Sequence, residues 1–266
     1  MTFMDGKMKT AADHRARRNR RLRGIDILHE DADVIVFEKA AGLLVQETRF
    51  GGERTVEGVL SDYVRKGQMK SRKRVYLVHR LDRETSGVMM VAKTPEAQDY
   101  FRSRWNEITE KTYLARVAGK MPSESGAFES LLAEDADGYR VRSVKDPRKG
   151  KLSRTEWERV SVQGDTTLVR VNLKTGRKNQ IRVHFAEAGH PVVGDTKYGS
   201  GAACGKHGKG LCLHAWRLAF VHPRTGERMS FETALPSFAT VRTPSKQPQN
   251  PQNQNTKHDV RRSQET

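Results

Sequence analysis

A polar stretch between two apolar runs, residues 79–87, constrains more than any other feature how this chain can fold. The run before it, residues 75–78, and the run after it, residues 88–92, consist of valine and other apolar residues. Runs of this length and composition are typical of buried strands. The polar residues between them are therefore predicted to form a short connection held by rigid elements, and functional sites are often found on such connections.

Asp82 is the residue of this connection that calls for a chemical explanation. An aspartate in a turn is ordinarily a solvated polar residue, but Arg80 and Arg83 flank this one. Neighbouring cations favour the ionised form of a carboxylic acid. An ionised carboxylate can serve as a nucleophile or as a base. Asp82 is therefore the first candidate catalytic residue.

Positive charge is spread over the whole chain of 266 residues, whose net charge is +17. Such an excess favours a phosphate polyanion through counterion release. Residues 1–24 hold eight basic and two acidic side chains without an apolar period, which predicts a flexible basic arm that follows RNA or merely aids solubility. Residues 25–242 retain a charge of +9, so the predicted folded body is itself basic. Residues 243–266 are predicted to be a disordered polar tail.

The composition also limits the cellular setting. A hydrophobic fraction of 35% suffices for one large domain or two small ones. No apolar stretch approaches the roughly 20 residues of a spanning helix, and no secretory signal is visible, so we expect a cytoplasmic protein without a membrane partner. Two cysteines are too few for a disulfide framework. Four residues near the loop at 199–210 are of the types that bind zinc, but their spacing lacks the pattern of common structural zinc sites. Residues 199–210 are therefore interpreted as a flexible loop. These ligand types belong to Cys204, His207, Cys212 and His214.

Apolar periods predict a mixture of strands and helices. Alternation predicts strands at residues 25–29, 34–38, 111–118, 155–162 and 167–174. Helical periods predict helices that begin after Thr55 and Thr94 and a third over residues 179–187.

Two segments concentrate basic residues. Residues 65–74 hold six basic side chains and no acid, and are interpreted as a solvated face or a phosphate-binding surface. Residues 140–154 hold seven basic side chains, among them Lys149 and Lys151, and are broken by Pro147 and Gly150. The second segment is predicted to be a mobile loop that could clamp RNA.

Five segments of the chain, in order, resemble the RluA-type pseudouridine synthases. Residues 79–87, H-R-L-D-R-E-T-S-G, resemble the active-site loop of that family, whose aspartate is essential. Residues 111–119 resemble the motif whose tyrosine, here Tyr113, lies against the target base. Residues 174–184 resemble the motif whose arginine, here Arg182, pairs with the catalytic aspartate. Residues 190–199 and 213–218 complete the match, and motif order over this span is far more specific than one short string.

The resemblance implies an α+β fold, with a mainly antiparallel, bent mixed sheet, flanking helices and a central cleft. It implies one catalytic domain over residues 25–242, between the arm and the tail, with no separate small RNA-binding domain before it. Two positions depart from the family pattern: Ala40 replaces a proline of Lys-Pro-x-Gly, and Asn179 stands where histidine is common.

The resemblance also implies the reaction. An RNA pseudouridine synthase is an isomerase that breaks the uridine N1–C1′ bond, turns the uracil and joins C5 to C1′, with no cofactor or metal. Asp82 would attack C1′ or remove the 2′ proton to give a glycal. Arg182 would hold Asp82 ionised through a charge-assisted, bidentate contact. Tyr113 would pack on the uracil and remove the C5 proton, with Arg182 as the cationic neighbour that lowers its pKa.

Further residues are expected to bind the substrate. Arg80 would fill the gap left by the flipped base, and Leu213 would form an apolar wall of the pocket. The whole predicted binding set is His79, Arg80, Arg83, Thr85, Lys149, Lys151, Arg177, Gln180 and Leu213.

The expected partner is ribosomal or transfer RNA with the uridine in a loop or a single-stranded region, where base flipping costs least. No obligatory protein partner is evident. A non-catalytic RNA-binding or chaperone protein on the same fold is the alternative, although binding alone does not require Asp82, Tyr113 and Arg182 together. A nuclease or glycosidase would need a metal cluster or a clear second carboxylate.

Overall fold

The structure is a computed structural model that describes residues 22–47, 51–66, 68, 70–199 and 210–240. The predicted arm is therefore described only from residue 22, and the predicted tail over residues 243–266 lies outside the described residues. Cys204 and His207, two of the four zinc-type ligands, also lie outside them. The division into arm, catalytic domain and tail stays a prediction.

The described strands form one mixed sheet of eleven strands. In chain order they are β1 (Ile25–Glu30), β2 (Val34–Lys39), β3 (Tyr76–Leu77), β4 (Ser86–Ala92), β5 (Thr109–Ala118), β6 (Ser125–Glu134), β7 (Val141–Val144), β8 (Lys151–Gln163), β9 (Thr166–Leu173), β10 (Leu213–Val221) and β11 (Arg228–Glu232). Their spatial order is β1-β2-β4-β10-β5-β9-β8-β6-β7, with β3 beside β4 and β11 beside β10. Among these pairs β4 and β10 run parallel and the others antiparallel.

Three helices accompany the sheet: α1 (Val56–Arg65), α2 (Pro95–Ile108) and α3 (Gln180–Glu187). The Thr55 hydroxyl accepts from the Gly58 N–H at 3.1 Å and the Thr94 hydroxyl from the Ala97 N–H at 3.1 Å. These bonds satisfy N–H groups that the first turn of a helix leaves unpaired. Both predicted helix starts are confirmed, and so is the α+β class with a mainly antiparallel sheet.

The parallel contact between β4 and β10 lies at the centre of the sheet and depends on one glycine. Gly87, at a φ of +118°, pairs with Ala215. A Cβ at this position would lie 2.1 Å from the Ala215 carbonyl oxygen, which no side chain can accept without moving the backbone. Because Gly87 ends the polar stretch that carries Asp82, this close approach fixes the Asp82 loop over the middle of the sheet.

The structure corrects the prediction for residues 140–154. Most of this segment belongs to β7 and β8, which flank β6 on opposite sides, so residues 145–150 alone form the connection. At Gly150 a Cβ would lie 2.5 Å from the Val144 side chain and 2.8 Å from Leu131 on β6. The absence of a side chain therefore lets the chain pass close to β6 and enter β8. Lys149 and Lys151 are exposed at this passage.

None of the helices described by the structure is long and apolar enough to cross a membrane.

Candidate active site

A cleft with about 420 Å³ of open space lies where the Asp82 loop, β5, β10 and the start of α3 meet. Eight of the twelve predicted site residues line it: Arg80, Asp82, Thr85, Tyr113, Arg177, Gln180, Arg182 and Leu213. The other four, His79, Arg83, Lys149 and Lys151, do not line it. The structure thus brings together residues as far apart in the chain as Arg80 and Leu213.

Arg182, in the first turn of α3, binds two carboxylates. Its Nε and Nη2 donate to the two oxygens of Asp195, each at 2.8 Å, and its Nη1 donates to Asp82 Oδ2 at 3.3 Å. The predicted contact between Arg182 and Asp82 is therefore present, but it runs through one nitrogen and is not bidentate. The fork faces Asp195, whose side chain is fully buried, and the backbone N–H groups of Lys197 and Tyr198 also donate to Asp195 Oδ1.

The Asp82 carboxyl is 24% exposed and its pKa is raised above the usual value. Burial is the main cause, because it disfavours the charged form, and Arg182 opposes it. The exposed Glu84 adds to the increase and Lys197 reduces it. The pKa of Asp82 is therefore above the usual value despite the nearby cations, because desolvation outweighs their effect.

Tyr113 lines the cleft from β5 and is buried. Burial and the nearby charge of Asp82 both raise the pKa of its phenol well above the usual value. The expected lowering of the pKa by Arg182 is therefore wrong for the protein without substrate. A phenol in this state is protonated at neutral pH.

His79 and Arg83, both predicted to bind substrate, have structural contacts away from the cleft. The His79 Nε2 accepts from the Met90 N–H at 3.1 Å, and its ring stacks on Trp105 with the ring centres 4.6 Å apart. Burial, aided by Lys111, lowers the pKa of His79 to about 3, so the ring is neutral. The Arg83 guanidinium donates to the Gly42 carbonyl at 3.2 Å and pairs with Glu53 at 3.2 Å.

Lys39 is not among the predicted site residues, but it supports the Asp82 loop through its buried amino group. Its side chain is fully buried, and Nζ donates to the carbonyl oxygens of Ala40 and Leu43, both at 2.9 Å, and of Arg83 at 3.1 Å. Burial lowers the pKa of Lys39 to about 8, against the opposing effect of Asp82. The sequence feature that could have identified Lys39 is its position as a charged residue at the end of an apolar strand.

Gln180 lines the cleft but uses its amide inside the protein. Its oxygen accepts from the Thr175 hydroxyl at 2.7 Å and the Arg177 N–H at 3.0 Å. Its nitrogen donates to the Arg154 carbonyl at 3.0 Å and the Thr155 hydroxyl at 2.9 Å. Gln180 therefore fixes the turn before α3 against β8, and Arg177 on this turn is exposed beside the cleft.

Asn179, directly before α3, contacts Asp82. The hydrogen-bond network orients its amide with the nitrogen toward the carboxylate, 2.8 Å from Oδ2 and 3.1 Å from Oδ1. The amide oxygen then accepts from the Tyr198 hydroxyl and from Lys197 Nζ, both at 3.0 Å. Lys197 and Tyr198, which lie in one of the five segments that resemble the family, thus hold the Asn179 amide in place.

Within the described residues one group of ligand-type side chains lies close enough together for a metal: Asp31, Asp33 and His222. Arg224 already donates to both oxygens of Asp33, at 2.6 and 2.7 Å, and supplies the positive charge. His214, from the zinc set, binds Ser86 at 2.8 Å and Thr233 at 2.7 Å through its two ring nitrogens. Among the described residues, Asp33 and His214 are thus held by internal contacts.

A partly exposed carboxylate thus lies beside a buried arginine at the edge of a cleft, an arrangement suited to an enzyme active site. A family model described as RNA pseudouridylate synthase matches residues 33–187, a span that includes Asp82, Tyr113 and Arg182. The chain belongs to the RNA pseudouridylate synthase family. The resemblance to pseudouridine synthases and the predicted isomerase class are confirmed.

The relatives agree. An uncharacterized RNA pseudouridine synthase of Bacillus subtilis, YlyB, is 36% identical over 80% of this chain and 69% of its own length. Ribosomal large subunit pseudouridine synthase D of Neisseria meningitidis is 36% identical over 80% of this chain and 58% of its own. Ribosomal large subunit pseudouridine synthase C of Salmonella typhimurium is 36% identical over 79% and 66%. The chain thus spans between 58% and 73% of the lengths of such curated relatives.

A solved structure, human RNA pseudouridylate synthase domain containing 4, superimposes with a TM-score of 0.64 at 26% identity. The match covers 80% of this chain and 89% of the human chain. The sheet and its central cleft are therefore the architecture of this family.

Proposed function

We propose that this protein isomerises uridine to pseudouridine in ribosomal RNA, with Asp82 as the nucleophile. The observation that carries the proposal is the Asp82 carboxylate, which faces the cleft and is held at 3.3 Å by an arginine that Asp195 fixes from behind. The carboxylate is thus oriented while part of its surface stays open to a substrate.

In the proposed reaction Asp82 attacks C1′ of the flipped nucleotide, and the C1′–N1 bond breaks with its electron pair going to uracil N1. The uracil anion turns within the cleft, C5 bonds to C1′, and Asp82 leaves as a carboxylate. Loss of the C5 proton and gain of a proton at N1 complete the isomerisation. In the competing route Asp82 removes the 2′ proton to give a glycal, and both routes require the ionised form of Asp82.

Arg182 and Tyr113 have complementary roles in this proposal. Arg182 orients Asp82 and compensates part of the cost of a charge in a partly buried cleft. Tyr113 packs against the uracil. Burial and the charge of Asp82 raise the pKa of Tyr113, so the phenol must give up its own proton before it can accept the C5 proton. Its part in removing the C5 proton is therefore tied to the state of Asp82.

Four residues of the predicted binding set are assigned to the substrate and its RNA. Arg80 is exposed and lines the cleft, so we assign to it the space left by the flipped base. Leu213 is buried and supplies an apolar wall that helps exclude water, which would otherwise hydrolyse an ester at C1′. Lys149 and Lys151 are exposed beside the β7–β8 connection and are assigned to the phosphate backbone. The proposal includes the arm over residues 1–24, the catalytic domain over 25–242 and the tail over 243–266.

Ribosomal RNA is the preferred target because curated relatives are described as ribosomal large subunit pseudouridine synthases. Transfer RNA is the other outcome that the experiment can return. The cytoplasmic location stays a prediction.

The test is to incubate the purified protein with total RNA from cells that lack it. New pseudouridines are mapped by carbodiimide-dependent stops of reverse transcription. Asp82→Asn should give no stops while it binds RNA as the wild type does. Asp62→Asn removes an exposed carboxylate on α1 and should keep all stops, which controls for the change in net charge.

Stops in ribosomal RNA with the wild type alone would support the proposal, and stops in transfer RNA would correct the target. Turnover by Asp82→Asn would remove Asp82 as the nucleophile. A third outcome is that both proteins bind RNA equally and in a salt-sensitive manner but give no stops, even on ribosome-assembly intermediates. This outcome would favour a non-catalytic RNA-binding protein.

A further inference from the structure

We infer that Asn179 is a positioning residue that aims the Asp82 carboxylate by donating to it from the side-chain amide. The inference rests on the proposed role of Asp82 and deepens it. Asn179 occupies a position at which the chain departs from the histidine common in the motif.

The distances favour Asn179 over Arg182 as the group that sets the carboxylate plane. The Asn179 nitrogen lies 2.8 and 3.1 Å from the two Asp82 oxygens. The Arg182 contact is longer, 3.3 Å, and reaches one oxygen. The same Arg182 nitrogen also lies 3.7 Å from Glu84, so its interaction with Asp82 is shared.

The orientation of the Asn179 amide follows from its neighbours. Lys197 can only donate, and it lies 3.0 Å from the amide oxygen. The Tyr198 hydroxyl accepts from the Val141 N–H at 2.9 Å, which leaves its own proton for the Asn179 oxygen at 3.0 Å. The opposite orientation would give the amide oxygen one long contact, from Arg182 Nη1 at 3.4 Å, and would turn it toward the two Asp82 oxygens, so the network favours the NH₂ group facing Asp82.

The backbone at this position explains which side chains can serve. Asn179 has φ 52° and ψ 18°, in the left-handed region. Asparagine, aspartate and histidine adopt this region more readily than other residues with a side chain. Histidine and asparagine both offer an N–H donor from this backbone, but the asparagine donor does not titrate.

The charged and titratable groups that act on Asp82 define what a pH profile reports. They are Arg182, Glu84 and Lys197, and, through the effect of Asp82 on them, Lys39 and Tyr113. With asparagine at position 179, the acid limb of the rate should follow the ionisation of Asp82.

Three substitutions at position 179 separate the donor from the backbone. Asn179→Ala removes the donor and should lower kcat about tenfold to hundredfold, the range for a hydrogen bond to a charged group, with KM for RNA within about twofold. Asn179→Asp tolerates the same backbone but adds a second carboxylate, so it should also lower kcat and move the acid limb to higher pH. Asn179→His restores an N–H donor and should keep most of the activity.

A second measurement does not need product. The carboxyl carbon of Asp82 can be followed by ¹³C NMR during a pH titration, with Asp82→Asn to assign the signal. Asn179→Ala should raise the pKa of Asp82 because an ionised carboxylate loses a donor. Thermal unfolding of each variant checks that the fold is kept.

Wild-type kcat and pH profile in both Asn179→Ala and Asn179→Asp would overturn the inference, and so would an unchanged Asp82 titration in Asn179→Ala. If the wild-type protein forms no pseudouridine, the proposed function fails, while the NMR titration still decides whether Asn179 acts on Asp82. Loss of kcat in the first two variants with recovery in Asn179→His would support the inference.

Discussion

The loop before β4 and the loop after α3 meet at the guanidinium of Arg182, and they bind it differently. Asp195, in the later loop, is fully buried and takes two of the Arg182 nitrogens at 2.8 Å. Asp82, in the earlier loop, is 24% exposed and takes one nitrogen at 3.3 Å. One arginine thus carries a tight contact and a loose one.

The pKa values of the two carboxyls are shifted in opposite directions. Burial raises the pKa of both carboxyls, but hydrogen bonds from Arg182 and from backbone N–H groups bring Asp195 below the usual value, whereas Asp82 stays above it. In the proposed reaction Asp82 gives up part of its charge as it bonds to carbon, so a bidentate ion pair would stabilise the reactant state, whereas the neutral Asn179 amide and one arginine nitrogen orient the carboxylate without such a pair. The comparison teaches that Asp195 fixes the arginine, while Asp82 stays accessible in the cleft for the proposed reaction.

The largest expected effect is on the free energy of unfolding, when each of the two carboxylates is replaced by an amide. Asp195→Asn should destabilise the protein by about 3–5 kcal/mol, because it leaves a buried arginine without its main partner. Asp82→Asn, the matched change on the looser side, should alter stability by less than about 1 kcal/mol. Urea unfolding of both variants measures the difference. Similar losses for the two would contradict the division between a structural and a reactive carboxylate.

Arg182→Lys tests whether the fork itself matters. Lysine keeps the charge but cannot serve Asp195 with two nitrogens and Asp82 with a third. We expect kcat to fall about a hundredfold, equivalent to about 2.7 kcal/mol, with little change in RNA affinity. Arg170→Lys, in an exposed pair with Glu158, is the control and should keep the wild-type rate. An unchanged rate in Arg182→Lys would count against orientation of Asp82 by this arginine.

Tyr113→Phe tests the group that faces the looser carboxylate. The ring is kept, so RNA binding should not change, whereas loss of the hydroxyl should slow single-turnover product formation about tenfold. This is less than the roughly hundredfold or more typical of a general base, because Asp82 disfavours the phenolate. Tyr100→Phe on α2 is the matched control. A wild-type rate in Tyr113→Phe would discard the base role.

The meeting of Asp82, Tyr113 and Arg182 in one cleft could be expected because each lies in a short motif that resembles a motif of the pseudouridine synthases. The starts of α1 and α2 were also predictable, since a cap depends on residues three positions apart. The fork to Asp195 could not be predicted in the same way. It depends on which carboxylate the folded chain brings to Arg182, and local pattern carries no such information.

The start of β8 shows a second reason why part of the fold could not be predicted from the sequence. In β8 the side chains of Ser153 and Thr155 are fully buried, whereas Leu152 is 55% exposed. This reverses the alternation from which a half-buried strand is recognised. His79 shows a third reason, because neighbouring residues of an extended segment point to opposite sides. Arg80 lines the cleft while His79 packs on Trp105.

Glu84→Gln should give the smallest effect and would sharpen the comparison. Glu84 lies 3.7 Å from Arg182 and raises the pKa of Asp82. In the proposed reaction the ionised Asp82 is the reactive form, so the rate should be full above this pKa and fall as the pH drops through it. Removing the Glu84 charge should move the acid limb to lower pH and raise the rate on that limb by about twofold or less, since Glu84 is exposed and salt screens it. Glu53→Gln, whose partner is Arg83, should leave the limb in place. A shift that persists at high salt would mean that Glu84 acts on Asp82 by rearranging Arg182 rather than through its charge.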